Sequence, residues 1–185
     1  MADVLSPFKK VLYICGKTVT HNDMKRKLKI NEMGLVRNED GLYVGITTRE
    51  LLLRLLDVIG CQCVIESNMN IRFDYKGETF YAIAYDNSTT ITIVDPWWEQ
   101  CSLYDIDAVA MIKKAINEVN CTTYVTTYYE VDEEEDLLGI SSDKAILLIS
   151  RIPDLEQYLR SALDEFFVAH HRLTLDVERM KNGLK

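Results

Sequence analysis

From Ile71 to Tyr85 the chain repeats with a period of two, broken once by a turn. Ile71, Phe73 and Tyr75 alternate with Arg72 and Asp74. After Lys76-Gly77-Glu78, Phe80, Ala82 and Ala84 alternate with Tyr81, Ile83 and Tyr85. Successive side chains of a strand point to opposite sides, so the pattern commits this segment to an antiparallel hairpin with one buried face. A lone hairpin cannot shelter that face from water. The rest of the fold is therefore constrained to supply a cover.

Helical patterns on both sides can supply it. Thr47 and Glu50 have the spacing of a capping box ahead of Leu51, Leu52, Leu53, Leu55 and Leu56, and Gly60 is placed to close that helix. Asp86-Asn87-Ser88 turns the hairpin into a third strand, Thr90 to Val94, which Asp95-Pro96 is expected to end because proline has no amide donor. A second helix is expected from about Ser102, on Leu103, Ile106, Val109, Ile112, Ile116 and Val119, with Asn120 at its end. Cys121 to Val131 and Lys144 to Ser150 read as two strands joined by an acidic loop. Pro153 suits the first turn of a closing helix whose apolar line is Leu155, Leu159, Leu163, Phe166, His170, Leu173, Val177 and Met180. The expected class is α+β: helix, three strands, helix, two strands, helix, with an antiparallel sheet packed on helices. Residues 46–185 form this domain, and residues 1–45 read as an extension with a short basic helix after Thr20 and a hairpin at Asp40-Gly41.

Composition narrows the function. Apolar residues make up 48% and charged residues 27% of the 185, as in ordinary globular domains. No apolar run approaches the ~20 residues of a membrane-spanning helix, and Val11 to Ile14 lacks a following cleavage pattern, so a cytoplasmic protein is expected. Five cysteines, Cys15, Cys61, Cys63, Cys101 and Cys121, suit reduced thiols. The formal charge of −8 is uneven: residues 1–42 hold eight Lys/Arg against five Asp/Glu, leaving thirteen against twenty-four in the remainder. That acidic body repels phosphate backbones and anionic lipid, so neither nucleic acid nor membrane is expected as a partner. The cluster from Lys25 to Lys29 has no interleaved aromatics and reads as a solvated helix face.

Motifs that could carry chemistry are incomplete. Gly16-Lys17-Thr18 resembles the end of a phosphate loop, but Val11 stands where the first glycine belongs. Asp132, Glu134, Asp136 and Asp143 have the spacing of calcium ligands, yet Leu137 occupies the position of the sharp turn. His170-His171 has only Phe166, Phe167, Thr174 and Leu175 one turn away, and Cys61 and Cys63 have no second cysteine pair at zinc spacing. No nucleophile elbow or dinucleotide fingerprint occurs. The chain is expected to be no enzyme and to take no cofactor and no metal. Trp97-Trp98 differs, because two large aromatics beside a strand break must either cover the core or stand out as anchors, and Tyr128-Tyr129 poses the same choice. Trp97, Trp98 and Tyr128 are the candidate partner-binding residues.

The element order, the hairpin Ile71-Arg72-Phe73-Asp74-Tyr75-Lys76-Gly77-Glu78-Thr79-Phe80, the helix end Ile116-Asn117-Glu118-Val119-Asn120 and the closing helix together resemble the YbjN family, over about residues 47–180. That family shares its fold with the chaperones of type III secretion. The resemblance implies a protein without catalytic residues that dimerises with a second copy or binds another polypeptide in a regulatory role. The alternative is a small-ligand sensor or enzyme with a pocket between sheet and helices, drawing on His170 and the tyrosines.

Overall fold

The computed structural model describes residues 45–66 and 70–183. These form three helices and one six-stranded antiparallel sheet, an α+β architecture with the helices on one face of the sheet. Helix α1 spans Thr48–Val58, and strands β1 (Cys63–Ile65), β2 (Asn70–Tyr75), β3 (Glu78–Ala84) and β4 (Thr90–Ser102) follow. Helix α2 (Ile106–Thr122), strands β5 (Thr126–Asp132) and β6 (Leu137–Leu147), and helix α3 (Leu155–Lys181) complete the domain. The sheet order is β1-β2-β3-β4-β6-β5. After β4 the chain crosses over α2 to the far edge, then returns through a hairpin that lays β6 against β4.

Local signals explain the helix starts. Thr47 caps α1 by accepting from the Glu50 amide, and the helix closes through Ile59 into Gly60 at φ 86°. Asp105 and Asp154 cap α2 and α3 by accepting from the Ala108 and Gln157 amides. The hairpin pairs Phe73 with Phe80, whose rings stack at 5.6 Å, and Phe166 of α3 meets Phe80 edge-on at 5.2 Å. Ile71, Phe80, Ile93 and Ile140 from the sheet, Leu52 and Leu56 from α1, and Leu159, Leu163 and Phe166 from α3 fill one continuous core.

Several boundaries differ from the sequence expectations. Asp95-Pro96 does not end the third strand: β4 runs on to Ser102, and the register against β6 shifts between Asp95 and Glu99. Proline is tolerated in mid-sheet at a bulge, where the ladder is already interrupted. Ser102 therefore ends a strand, and α2 starts at Ile106, whose side chain is exposed. Asn120 does not stop α2, which continues to Thr122. Its amide instead reaches across to β5, donating to the Thr127 carbonyl and accepting from the Thr127 amide, both at 2.8 Å. Strand β6 opens at Leu137, not Lys144, and ends at Leu147. Pro153 precedes the cap Asp154 and lies outside α3. The short edge strand β1 makes four strands in succession where three were expected. The basic helix, the Asp40-Gly41 hairpin, the cluster Lys25 to Lys29, Gly16-Lys17-Thr18 and Cys15 lie outside the described residues. No described helix is long and apolar enough to cross a membrane.

Candidate functional site

The bulge in β4 builds the site. Trp97 takes the left-handed backbone conformation, φ 50°, which is costly for a non-glycine residue and persists only where the surroundings hold it. The Trp97 amide donates to Ser141 Oγ at 3.1 Å, and its indole Nε1 donates to Glu130 Oε2 at 3.0 Å. Ser141 Oγ in turn donates to the same carboxylate oxygen at 3.1 Å. The Trp97 ring lies on the backbone of Gly139.

Those partners define the face. Across the ladders Arg72 opposes Tyr81, Tyr81 opposes Val94, Val94 opposes Asp143, and Asp143 opposes Thr126. One step along, Ser141 opposes Tyr128 and Gly139 opposes Glu130. Residues directly opposite in adjacent strands share a face, so Trp97 and Tyr128 lie on the side away from the helices. Ser141 is fully buried there beneath Trp97, and Val94 is 9% exposed although it belongs to no part of the helix-side core. The half-buried side chains of Tyr81, Ile83, Trp97 and Tyr128 and the exposed Leu147 complete an apolar strip.

Trp98 goes the other way. Its Nε1 donates to Ser142 Oγ at 3.0 Å, and its ring stacks on His170 of α3 with centroids 3.9 Å apart and planes 20° apart. Behind it, His170 Nε2 approaches Asp95 Oδ2 at 3.2 Å without the alignment of a hydrogen bond, and neither atom bonds elsewhere. Burial pushes the Asp95 carboxyl above its ordinary range, and His170 draws it partly back. The space between sheet and helix that a small-ligand reading requires is filled here by Trp98, Phe167 and His170.

Charge on the open face is one-sided. Glu66, Asp74, Glu130, Asp132 and Asp143 face Arg72 as the single described cation, and Arg72 pairs with Glu66 at 3.3 Å. No described lysine lies on this face: Lys144 bonds Glu165 of α3, Lys76 bonds Asp164 of α3, and Lys113 and Lys114 are on α2. Burial raises the Asp143 carboxyl. The Tyr128 hydroxyl is pushed up to about 12, by burial first and then by the Glu130 and Asp143 carboxylates.

The weaker motifs resolve as structure. Asp132 Oδ1 accepts from the Glu134 and Glu135 amides in the β5–β6 turn, Asp136 accepts from the Tyr104 hydroxyl, and Asp143 lies inside β6. No group of three or more His, Cys, Asp or Glu among the described residues is arranged to hold a metal. Cys61 is buried, and burial pushes the Cys63 thiol up to about 12, away from the reactive thiolate. The contributions of Glu130, Gly139, Ser141 and Ser142 escaped the sequence reading. Their signal was the small run Gly139-Ile140-Ser141-Ser142 opposite two tryptophans.

No family model matches the sequence, and no curated protein matches it. Among solved structures the chain is similar to YbjN from E. coli, with a TM-score of 0.45 and 9% identity, covering 76% of this chain and 98% of that one. It is also similar to an uncharacterized protein from Methanothermobacter thermautotrophicus, with a TM-score of 0.48 and 13% identity, covering 72% of this chain and 98% of the other.

Proposed function

We propose that this chain is a non-catalytic polypeptide-binding protein whose contact surface is the open face of the sheet. One observation carries the reading: among the described residues, an apolar strip with Trp97 and Tyr128 at its centre is bordered by five carboxylates and one guanidinium, with no described helix above it. Such a surface fits a segment that interleaves apolar side chains with lysine or arginine. Aromatic anchors supply the affinity, and the carboxylates supply steering and orientation. A second copy placed face to face would bring a surface of the same net negative charge, so a basic segment complements this face better than its own copy does.

The test uses a fluorescein-labelled decapeptide of alternating lysine and valine and reads its anisotropy. The double variant Asp74→Lys with Asp143→Lys should weaken binding at least tenfold. Asp107→Lys with Glu118→Lys, the same change of net charge on exposed positions of α2, should leave it nearly unchanged. Equal weakening by both variants would reduce the effect to overall charge and sink the proposal.

A further inference from the structure

The open face has a candidate occupant within the same chain. Residues 1–44 hold eight Lys/Arg and five Asp/Glu, a net +3, whereas residues 45–185 hold thirteen and twenty-four, a net −11. The basic residues interleave with apolar ones, as in Lys25-Arg26-Lys27-Leu28-Lys29-Ile30 and Gly34-Leu35-Val36-Arg37. This is the chemistry that the apolar strip and its border of carboxylates would recognise.

The point of attachment is also placed for it. The described chain begins at Gly45, Ile46 packs on the core, and Thr48 Oγ1 donates to the Ser88 carbonyl in the β3–β4 turn. At that end of the sheet Thr90 opposes Leu147, and Leu147 and Tyr85 are each 46% exposed. Six strands at ~4.8 Å spacing are about 24 Å across, a distance that about seven extended residues span, so 44 residues suffice several times over. Glu130, Asp132 and Asp143 lie toward the far side of the sheet, which gives a segment entering at the β3–β4 turn an attractive path over Tyr81 and Val94.

We infer that residues 1–44 lie over the open face of their own chain, as a built-in basic ligand that any polypeptide partner must displace. The inference rests on the reading of this face as a polypeptide-binding surface. It makes that surface self-masked, so that partner binding depends on outcompeting a segment carried on the same chain, whose binding is intramolecular.

Zero-length carbodiimide coupling of the full chain, mixed equally from unlabelled and ¹⁵N-labelled protein, is the first arm. Lys9, Lys10, Lys17, Lys25, Lys27 or Lys29 should couple to Asp74, Glu130, Asp132 or Asp143 within single chains. Coupling mainly to Asp107 or Glu118 of α2, or only between chains, would overturn the inference; the latter would assign the segment to a second copy. The second arm compares the alternating lysine–valine decapeptide on wild type and on the full chain carrying Lys25→Glu, Arg26→Glu, Lys27→Glu and Lys29→Glu. Binding about tenfold tighter to the variant supports self-masking. Equal binding to both leaves the binding surface standing and removes the occupant, whereas no binding to either removes the surface itself.

Discussion

The indole ring of Trp97 lies against the backbone of Gly139, where an added Cβ would come within 2.3 Å of Trp97 Cδ2. The backbone of β6 and the ring therefore share one space, and Gly139→Ala must either push the ring out or part the strands. The expected loss is about 1–3 kcal/mol, the range for overpacking. In a Trp97→Ala background the same substitution should cost little, since the space is vacated. Urea unfolding of the four chains of this cycle measures the coupling, and additive losses would refute the contact.

Asp95 and His170 give a pH dependence with a definite sign. Burial raises the folded-state pKa of Asp95 above the unfolded value near 3.8. The folded chain thus binds that proton more tightly than the unfolded one. This contribution is fully present below the unfolded pKa and is lost as pH rises through the raised folded value. Three groups set the balance: Asp95 on β4, His170 on α3, and Glu78 on β3, whose charge raises Asp95 further. Asp95→Asn removes the proton, so the stability of the variant relative to wild type should climb as pH rises from the unfolded value near 3.8 through the raised folded one. Parallel urea midpoints across that range would contradict the assignment.

Much of this was legible in the sequence, and the misses have physical causes. The hairpin from Ile71 to Ala84 was readable because one face is wholly apolar and a Gly turn separates its halves. The continuation of β4 was not, because proline removes a ladder donor and reads as a stop, while the compensation lies in Ser141, distant in sequence. The start of β6 was hidden for a related reason. Gly139, Ser141 and Ser142 have weak strand propensity, and they are small because one tryptophan lies on each side of them. The pairing of Asp95 with His170 left no local trace, since it joins β4 to α3. Of the three anchors read from sequence, Trp97 and Tyr128 share the open face and Trp98 packs beneath the helices.

Asn120 ties the end of α2 to β5 through both polar atoms of its amide. Asn120→Ala would strand the buried Thr127 amide and carbonyl, at a cost of about 1–3 kcal/mol. Thermal or urea unfolding checks the size. Hydrogen exchange checks the site, because the Thr127 amide should lose protection before the β2–β3 hairpin does. An unchanged Thr127 amide would show that water replaces the side chain without cost.

Phe80 anchors the joint between hairpin and α3, against Phe73 and Phe166. Truncation to Ala should cost about 3–5 kcal/mol, as for other buried aromatics. A loss under about 1 kcal/mol in urea unfolding would mean that sheet and closing helix are not joined through this ring.

The chain holds two tryptophans, and the bulge sends them to opposite faces. Each indole N–H gives its own resonance in a ¹⁵N correlation spectrum, assignable with Trp97→Phe and Trp98→Phe. When the alternating lysine–valine decapeptide is titrated into the full chain, the Trp97 indole signal should move progressively while that of Trp98 stays in place. Movement of the Trp98 signal alone, or of neither at saturating peptide, would contradict binding at the open face.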